Sequence, residues 1–406
     1  MNWIQFGRLI HSIYANDNKL PDLEWIQSLG LLAVKLAQVH ALRIDFLSPE
    51  KCQHLAKLYR QNTPLASEDI FRLLESNAVA EFRSAFARID EQPLATASVG
   101  QVHRAVLNDQ RDVVVKVVKD RASAKFAADV KSLKRLFELG IRFYPPLGRV
   151  GDPLGILEDI EELTSAELDL RNEASSQRLL RRIHEDSGQE FDLGRLKFPQ
   201  IYAHLSNEHV LVSEFIAGPS VDELLEQNRF EYDLLLQLFR IHGFFMFVVG
   251  TFHGDLHPGN VLVAGDDFYF IDTAYIGTVS TQLRNGLFDF FEALTRYDYD
   301  ACAGALHAMS ISKLGKDGFG EFKQQFIELY EDFLGAPVAR VSLTRKMMET
   351  IKLGVLAGMK FDKGMFGIIR SLMYLDGMVL RCNPDAVLIR DMRPYVEEML
   401  GHVKRS

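Results

Sequence analysis

The stretch that decides the fold is His253-Gly254-Asp255-Leu256-His257-Pro258-Gly259-Asn260. Two short apolar runs follow, Val261-Leu262-Val263 and Phe268-Tyr269-Phe270-Ile271, joined through Gly265-Asp266-Asp267 and ending on Asp272. The spacing His-x-Asp-x-x-x-x-Asn is that of a catalytic loop for phosphoryl transfer. Asp255 is the residue type needed to orient or deprotonate an attacking hydroxyl or water. Asn260, five residues later, supplies a neutral oxygen to a magnesium ion. The hairpin then delivers Asp272 to the end of an apolar strand, where a carboxylate can bridge the β- and γ-phosphates through metal. An isolated Asp at a strand end would read as a turn or cap residue. Loop, hairpin and carboxylate in this order favour the chemical role.

His253 and His257 are spaced as a helical zinc pair would be. Pro258 and Gly259 break any helix at once, and no third ligand of the usual type follows. His253 therefore reads as a brace for the loop through hydrogen bonds, with zinc the lesser alternative.

Upstream, Val113-Val114-Val115-Lys116 places a lysine at the end of a buried strand, which is costly unless the charge is paired. In phosphoryl-transfer folds a lysine in this place holds the α- and β-phosphates and pairs with a helix glutamate. Lys119 competes for the role but lies past the apolar run. The expected partner is Glu173. Asp169, Asn172 and Glu173 fall at i, i+3 and i+4 and would share one helix face, although an ordinary exposed polar helix has the same pattern. Before the strand, Ala95-Thr96-Ala97-Ser98-Val99-Gly100-Gln101-Val102 matches G-x-G-x-x-G-x-V at Gly100 and Val102 only. Such a loop can still approach phosphates through Ser98 and backbone N–H groups, but alanine makes it stiffer than glycine would.

Around these motifs, apolar spacing predicts helices over Asp22 to about Leu42, Pro49 to Tyr59 and Asp69 to about Phe86. Thr164 to about Glu185 reads as a long polar helix, with Thr164 and Glu167 at capping-box spacing. Strands are expected at Val99–Leu107, Asp112–Val118 and His209–Ile216, with a turn at Asn108-Asp109-Gln110. Everything beyond about Ser280 reads as helical. The order gives an α+β fold of two lobes: a helical extension over 1–88, an N-lobe over 89–217 with a small antiparallel sheet, and a helical C-lobe over 218–406.

With 406 residues and 47% apolar content, the chain can fill two lobes sharing a cleft. A net charge of −9 argues against a general nucleic-acid binder. Cys52, Cys302 and Cys382 have no zinc spacing and read as reduced thiols of a cytoplasmic protein. Trp3, Phe6, Ile10 and Ile13 make an amphipathic helix, packed on its own domain or lying on a membrane or partner. Met1 to Tyr14 lacks a basic segment followed by an uninterrupted apolar core, so it does not read as a secretory signal. Leu234–Phe252 is the most apolar stretch; Gln237, Arg240 and His242 interrupt it, so it reads as a buried helix and not a span.

Taken together, these residues resemble the UbiB/AarF-domain (ADCK-type) atypical kinases. The alanine-rich loop, Lys35-Leu36-Ala37-Gln38, Glu167-Leu168-Asp169 with Glu173, and Asp255/Asn260/Asp272 carry the resemblance, which spans about Leu29 to Asn260 and is compatible with the helical tail. It implies a protein-kinase-like fold using ATP and Mg2+. Lys35 and Gln38 would lie on a helix folded over the nucleotide cleft, where the family restricts protein substrates. Lys116 would pair with Glu173, Glu167 and Asp169 would face the cleft, and Glu214, Phe215 and Ile216 would meet adenine through backbone. The family is linked to ubiquinone or other isoprenoid-lipid metabolism. An isoprenoid lipid or quinone precursor, and enzymes of lipid biosynthesis, are therefore the implied partners beside the nucleotide.

Three departures stand out. Ala37 replaces a glycine, Thr273-Ala274 replaces Phe-Gly after the metal Asp, and the chain ends in polar residues where bacterial UbiB has an apolar hairpin. Metal binding by Asp272 is expected to persist, a kinase-like flip of 273–274 is not, and membrane contact would be peripheral. Two alternatives stay open: a small-molecule phosphotransferase of aminoglycoside or choline kinase type, and a non-catalytic nucleotide-sensing module.

Overall fold

Valine-rich strands build the first sheet. The computed structural model describes residues 1–14, 19–41, 47–59, 65–96, 99–118, 122–143, 153–362 and 364–403. Strands β1 (Phe86–Thr96), β2 (Gly100–Leu107) and β3 (Asp112–Val118) run antiparallel, and β5 (Val210–Glu214) completes the order β1-β2-β3-β5. The turn at Asn108–Gln110 closes as expected, with Gln110 at φ 69° and its N–H on the Leu107 carbonyl. Alternation along β3 decides the faces. Val113, Val115 and Val117 are buried in a core with Ile70, Leu74, Phe82 and Val212. Lys116 therefore points to the opposite face, where Val118 and Leu211 pack with Leu170 and Ala174. β4 (Leu196–Lys197) belongs to a different sheet.

Met1–Ser175 with Pro199–Phe215 form one compact unit, and Ser176–Phe198 with Ile216–Ser406 form another. In the first unit, helices Trp3–Tyr14, Leu23–Leu29, Leu31–Ala41, Pro49–Ala56, Ala122–Phe143 and Pro153–Leu168 contribute to a second core around Leu9, Ile13, Leu36, Leu55, Val130 and Ile160. The N-terminal helix thus packs on its own unit, leaving Trp3 and Ile4 exposed.

In the second unit, helix Tyr232–Gly243 continues as a π-helical turn, Phe244–Val249. Tyr232–Val249 is the one segment among the described residues long and apolar enough to cross a membrane, and 67% of it is buried inside the protein. It feeds β6 (Thr251–His253), which pairs with β9 (Ile276–Thr278). β7 (Val261–Ala264) pairs with β8 (Asp267–Phe270), and β4 joins β8 in parallel. Six helices follow, from Thr281–Thr295 to Leu388–Leu400, around buried Phe288, Phe290, Phe322, Phe326 and Tyr330.

Several expected bounds are corrected. Gly30, at φ 108°, splits the first predicted helix in two, because only glycine adopts that conformation freely. The helix expected to reach Phe86 stops at Asn77, and β1 begins at Phe86. Thr164 caps nothing: it is buried inside helix Pro153–Leu168. The break comes at Asp169, and helix Leu170–Ser187 starts after it.

Candidate functional site

The first unit carries a buried ion pair. Lys116 Nζ donates to Glu173 Oε2 at 2.8 Å, both side chains about nine-tenths buried. Strand and helix each supply a reason. Lys116 lies inside β3, opposite Val102 on one side and Leu211 on the other, on the face that meets the first turn of helix Leu170–Ser187. Glu173 sits in that first turn, where the helix dipole favours a carboxylate.

A second pair lies in the same unit. Lys35 Nζ donates to both Glu167 oxygens at 2.6 and 2.5 Å, joining helix Leu31–Ala41 to the end of helix Pro153–Leu168. Gln38 is buried, and its amide donates to the Leu58 carbonyl at 2.9 Å. Ala37 has no exposed surface.

Asp169 is displaced from the face expected for it. It lies between the two helices, accepts the Arg171 N–H at 3.0 Å and holds the Arg171 guanidinium. That guanidinium keeps its carboxyl below the usual range. Asn172 donates to the Ala166 carbonyl.

Ala95 pairs with Val102, Val99 is buried, and Ala97, Ser98 and Lys119 lie outside the described residues. Gly100 has a structural reason of its own. A Cβ there would lie 2.5 Å from the Val117 carbonyl oxygen. Glu214 bonds Gln200 through both backbone and side chain, and the Phe215 N–H donates to the Asp112 carbonyl under the Arg104 guanidinium. In the second unit, Ile216 accepts from the Gly218 N–H.

The second unit holds the loop. His253 is wholly buried. Its Nδ1 accepts the Asp255 N–H at 3.2 Å, which leaves Nε2 to donate to the Ile271 carbonyl at 2.9 Å. Burial drives its pKa down, so the ring is a neutral brace. His257 Nδ1 accepts the Gly259 N–H and caps the single turn Pro258–Asn260. Both histidines thus serve the loop, and among the described residues no group of three His, Cys, Asp or Glu side chains is arranged to hold a metal ion.

Asn260 Nδ2 donates to the Asp255 carbonyl at 3.0 Å, which turns its Oδ1 the other way. Asp272 follows β8 at φ 52°, a conformation Asp tolerates better than most residues. Thr273 and Ala274 after it are buried. Gly254 is required by crowding, since a Cβ would meet the Tyr275 ring at 2.2 Å.

Two residues of the loop's surroundings went unread in the sequence. Tyr374 Oη donates to Asp255 Oδ1 at 2.8 Å, and Arg370, one turn earlier on helix Gly364–Cys382, donates to the Gly254 carbonyl at 2.7 Å. They stand more than a hundred positions from the loop, and no local pattern marks them.

The fold is that of a helix-rich, kinase-like protein. The family described as the ABC1 atypical kinase-like domain matches residues 57–306. The chain belongs to that family and is of the UbiB type. Similar curated proteins include the probable protein kinase UbiB of Aliivibrio fischeri, 28% identical over 390 residues, 93% of this chain and 69% of that protein. The corresponding protein of Aeromonas hydrophila is 27% identical over 384 residues, 92% and 69% of the two chains. A Clostridium pasteurianum protein described only as uncharacterized, in the hydrogenase 1 5′ region, is 24% identical over 401 residues, 97% and 73% of the two chains. Among solved structures, a Mycobacterium tuberculosis protein in complex with erythromycin shares the fold. Its TM-score is 0.51 at 22% identity, covering 87% of this chain and 90% of that one.

Proposed function

We propose that the chain is a Mg-ATP-binding ATPase or kinase that supports ubiquinone or other isoprenoid-lipid metabolism. What supports the nucleotide reading is the loop geometry: the Asn260 amide nitrogen donates to the Asp255 carbonyl, and the Asn260 backbone carbonyl accepts the Ile271 N–H, which ties the loop to the strand end that carries Asp272. Two hard oxygen donors fit magnesium, which takes one or two protein oxygens and completes its shell with water and phosphate. Bound magnesium would neutralise charge on the phosphates being transferred.

The remaining roles belong to this chain's own groups. Lys116, held by Glu173, supplies the phosphate-binding cation. Asp255 accepts the proton of the attacking hydroxyl or water. The Lys35–Glu167 pair ties the Lys35 helix to the end of helix Pro153–Leu168. Membership of a family whose relatives carry UbiB names supports the lipid-metabolic role over a small-molecule phosphotransferase.

The test is steady-state ATP hydrolysis with and without quinone-precursor phenols or anionic lipid vesicles. The expected result is a rise of about threefold or more with such an additive, abolished in Asp272→Asn. Turnover that ignores every additive would remove the lipid assignment.

A further inference from the structure

Asp255 already has a hydroxyl donor. A catalytic-loop aspartate has to accept a hydrogen bond from the acceptor hydroxyl at roughly 2.6–3.2 Å. Tyr374 Oη meets that requirement from within the chain, donating to Asp255 Oδ1 at 2.8 Å. The tyrosine is buried, and the His257 ring stands edge-on to it at 5.4 Å and 90°. Its helix is pinned to the same loop by Arg370, whose guanidinium donates to the Gly254 carbonyl and lies 5.1 Å from the Tyr275 ring centre. The hydroxyl is therefore presented by a buried side chain on a helix that is itself bonded to the same loop.

We propose that Tyr374 is a specificity-determining residue that occupies the acceptor-hydroxyl position on Asp255 and so excludes water and small alcohols as phosphoryl acceptors. This rests on the nucleotide reading above. A phenol in that place makes the hydrogen bond that water would otherwise make, and it fills the volume a small alcohol would need. Slow hydrolysis then follows from the site's own side chain, and an acceptor must displace the Tyr374 hydroxyl to be activated by Asp255.

The experiment compares the full chain with Tyr374→Phe, which removes one oxygen, and with Tyr374→Leu, which also lacks the hydroxyl but fills the space differently. Mg-ATP binding is followed by thermal shift, and kcat and KM by ADP release with and without glycerol as a small-alcohol probe. Tyr374→Phe should raise kcat for hydrolysis about threefold or more while KM for ATP stays within about twofold. Glycerol should accelerate ADP release in the variants and not in the wild type.

A folded variant that binds Mg-ATP but turns over at or below the wild-type rate would overturn the proposal. So would phosphate found on Tyr374 after incubation of the wild type with ATP, since the residue would then be an acceptor itself. Failure of the wild type to bind Mg-ATP would defeat the nucleotide reading instead, and the binding measurement separates the two outcomes.

Discussion

His242 is wholly buried beside Phe252, and neither ring nitrogen has a hydrogen-bond partner among the described residues. Desolvation, with a smaller contribution from His253, lowers its pKa from 6.5 to about 3. The unfolded chain takes up a proton near pH 6.5, while the folded chain stays neutral far below that. Between those values the unfolded state binds more protons, so stability falls as pH falls. At pH 5 the loss from this one group is about 2 kcal/mol relative to pH 7.5. Urea unfolding at both pH values should show a smaller difference for His242→Leu than for the wild type; an equal difference would refute the assignment. Lys116 shows the opposite solution to burial. It pairs with Glu173 on the face that β3 alternation turns away from Val113, Val115 and Val117. The need for a partner was readable in the sequence; the alternation was not, because valines stand at both parities of the strand. Asp169 was not, because an Arg two residues on competes for it more effectively than any helix face.

At the scale of elements, β7, β8 and the loop before them were legible because their chemistry is local: turn residues, apolar runs and loop spacing sit within twenty residues. β1 was not. Its residues are half exposed and mix charges with Pro93, and its pairing with β2 slips between Phe86 and Arg88, between Ile89 and Pro93, and between Pro93 and Ala95. Proline is tolerated there because β1 is the edge strand. The Thr164 capping pattern failed for a related reason: tertiary packing buried the threonine within a helix, and the chain broke at Asp169 instead. Gly100 matches the phosphate-loop template, and its close approach to β3 is a separate reason for a glycine there. Gly100→Ala should drive a Cβ into the Val117 carbonyl and cost about 2 kcal/mol of stability, measured by urea unfolding. Unchanged stability would mean that β2 can draw back from β3 without loss.

At the scale of the molecule, the family and fold class were readable because several short motifs occur in one order along the chain, and residues 57–306 match the family as a whole. The grouping of the chain was harder to read. Residues 1–88 share a unit with the four-stranded sheet, and helix Leu170–Ser187 begins in one unit and ends in the other. Sequence order does not reveal which helices share a core, and it could not place Tyr374 beside Asp255. The central claim is that Asn260 and Asp272 make this chain a Mg-nucleotide binder. Isothermal titration of the full chain with ATP, in magnesium and in excess EDTA, tests it most directly. The wild type should bind in magnesium and lose about tenfold or more of its affinity in EDTA, and Asp272→Asn should show the weak affinity in both buffers. Equal affinity of wild type and Asp272→Asn in magnesium, or no binding by the wild type, would contradict it.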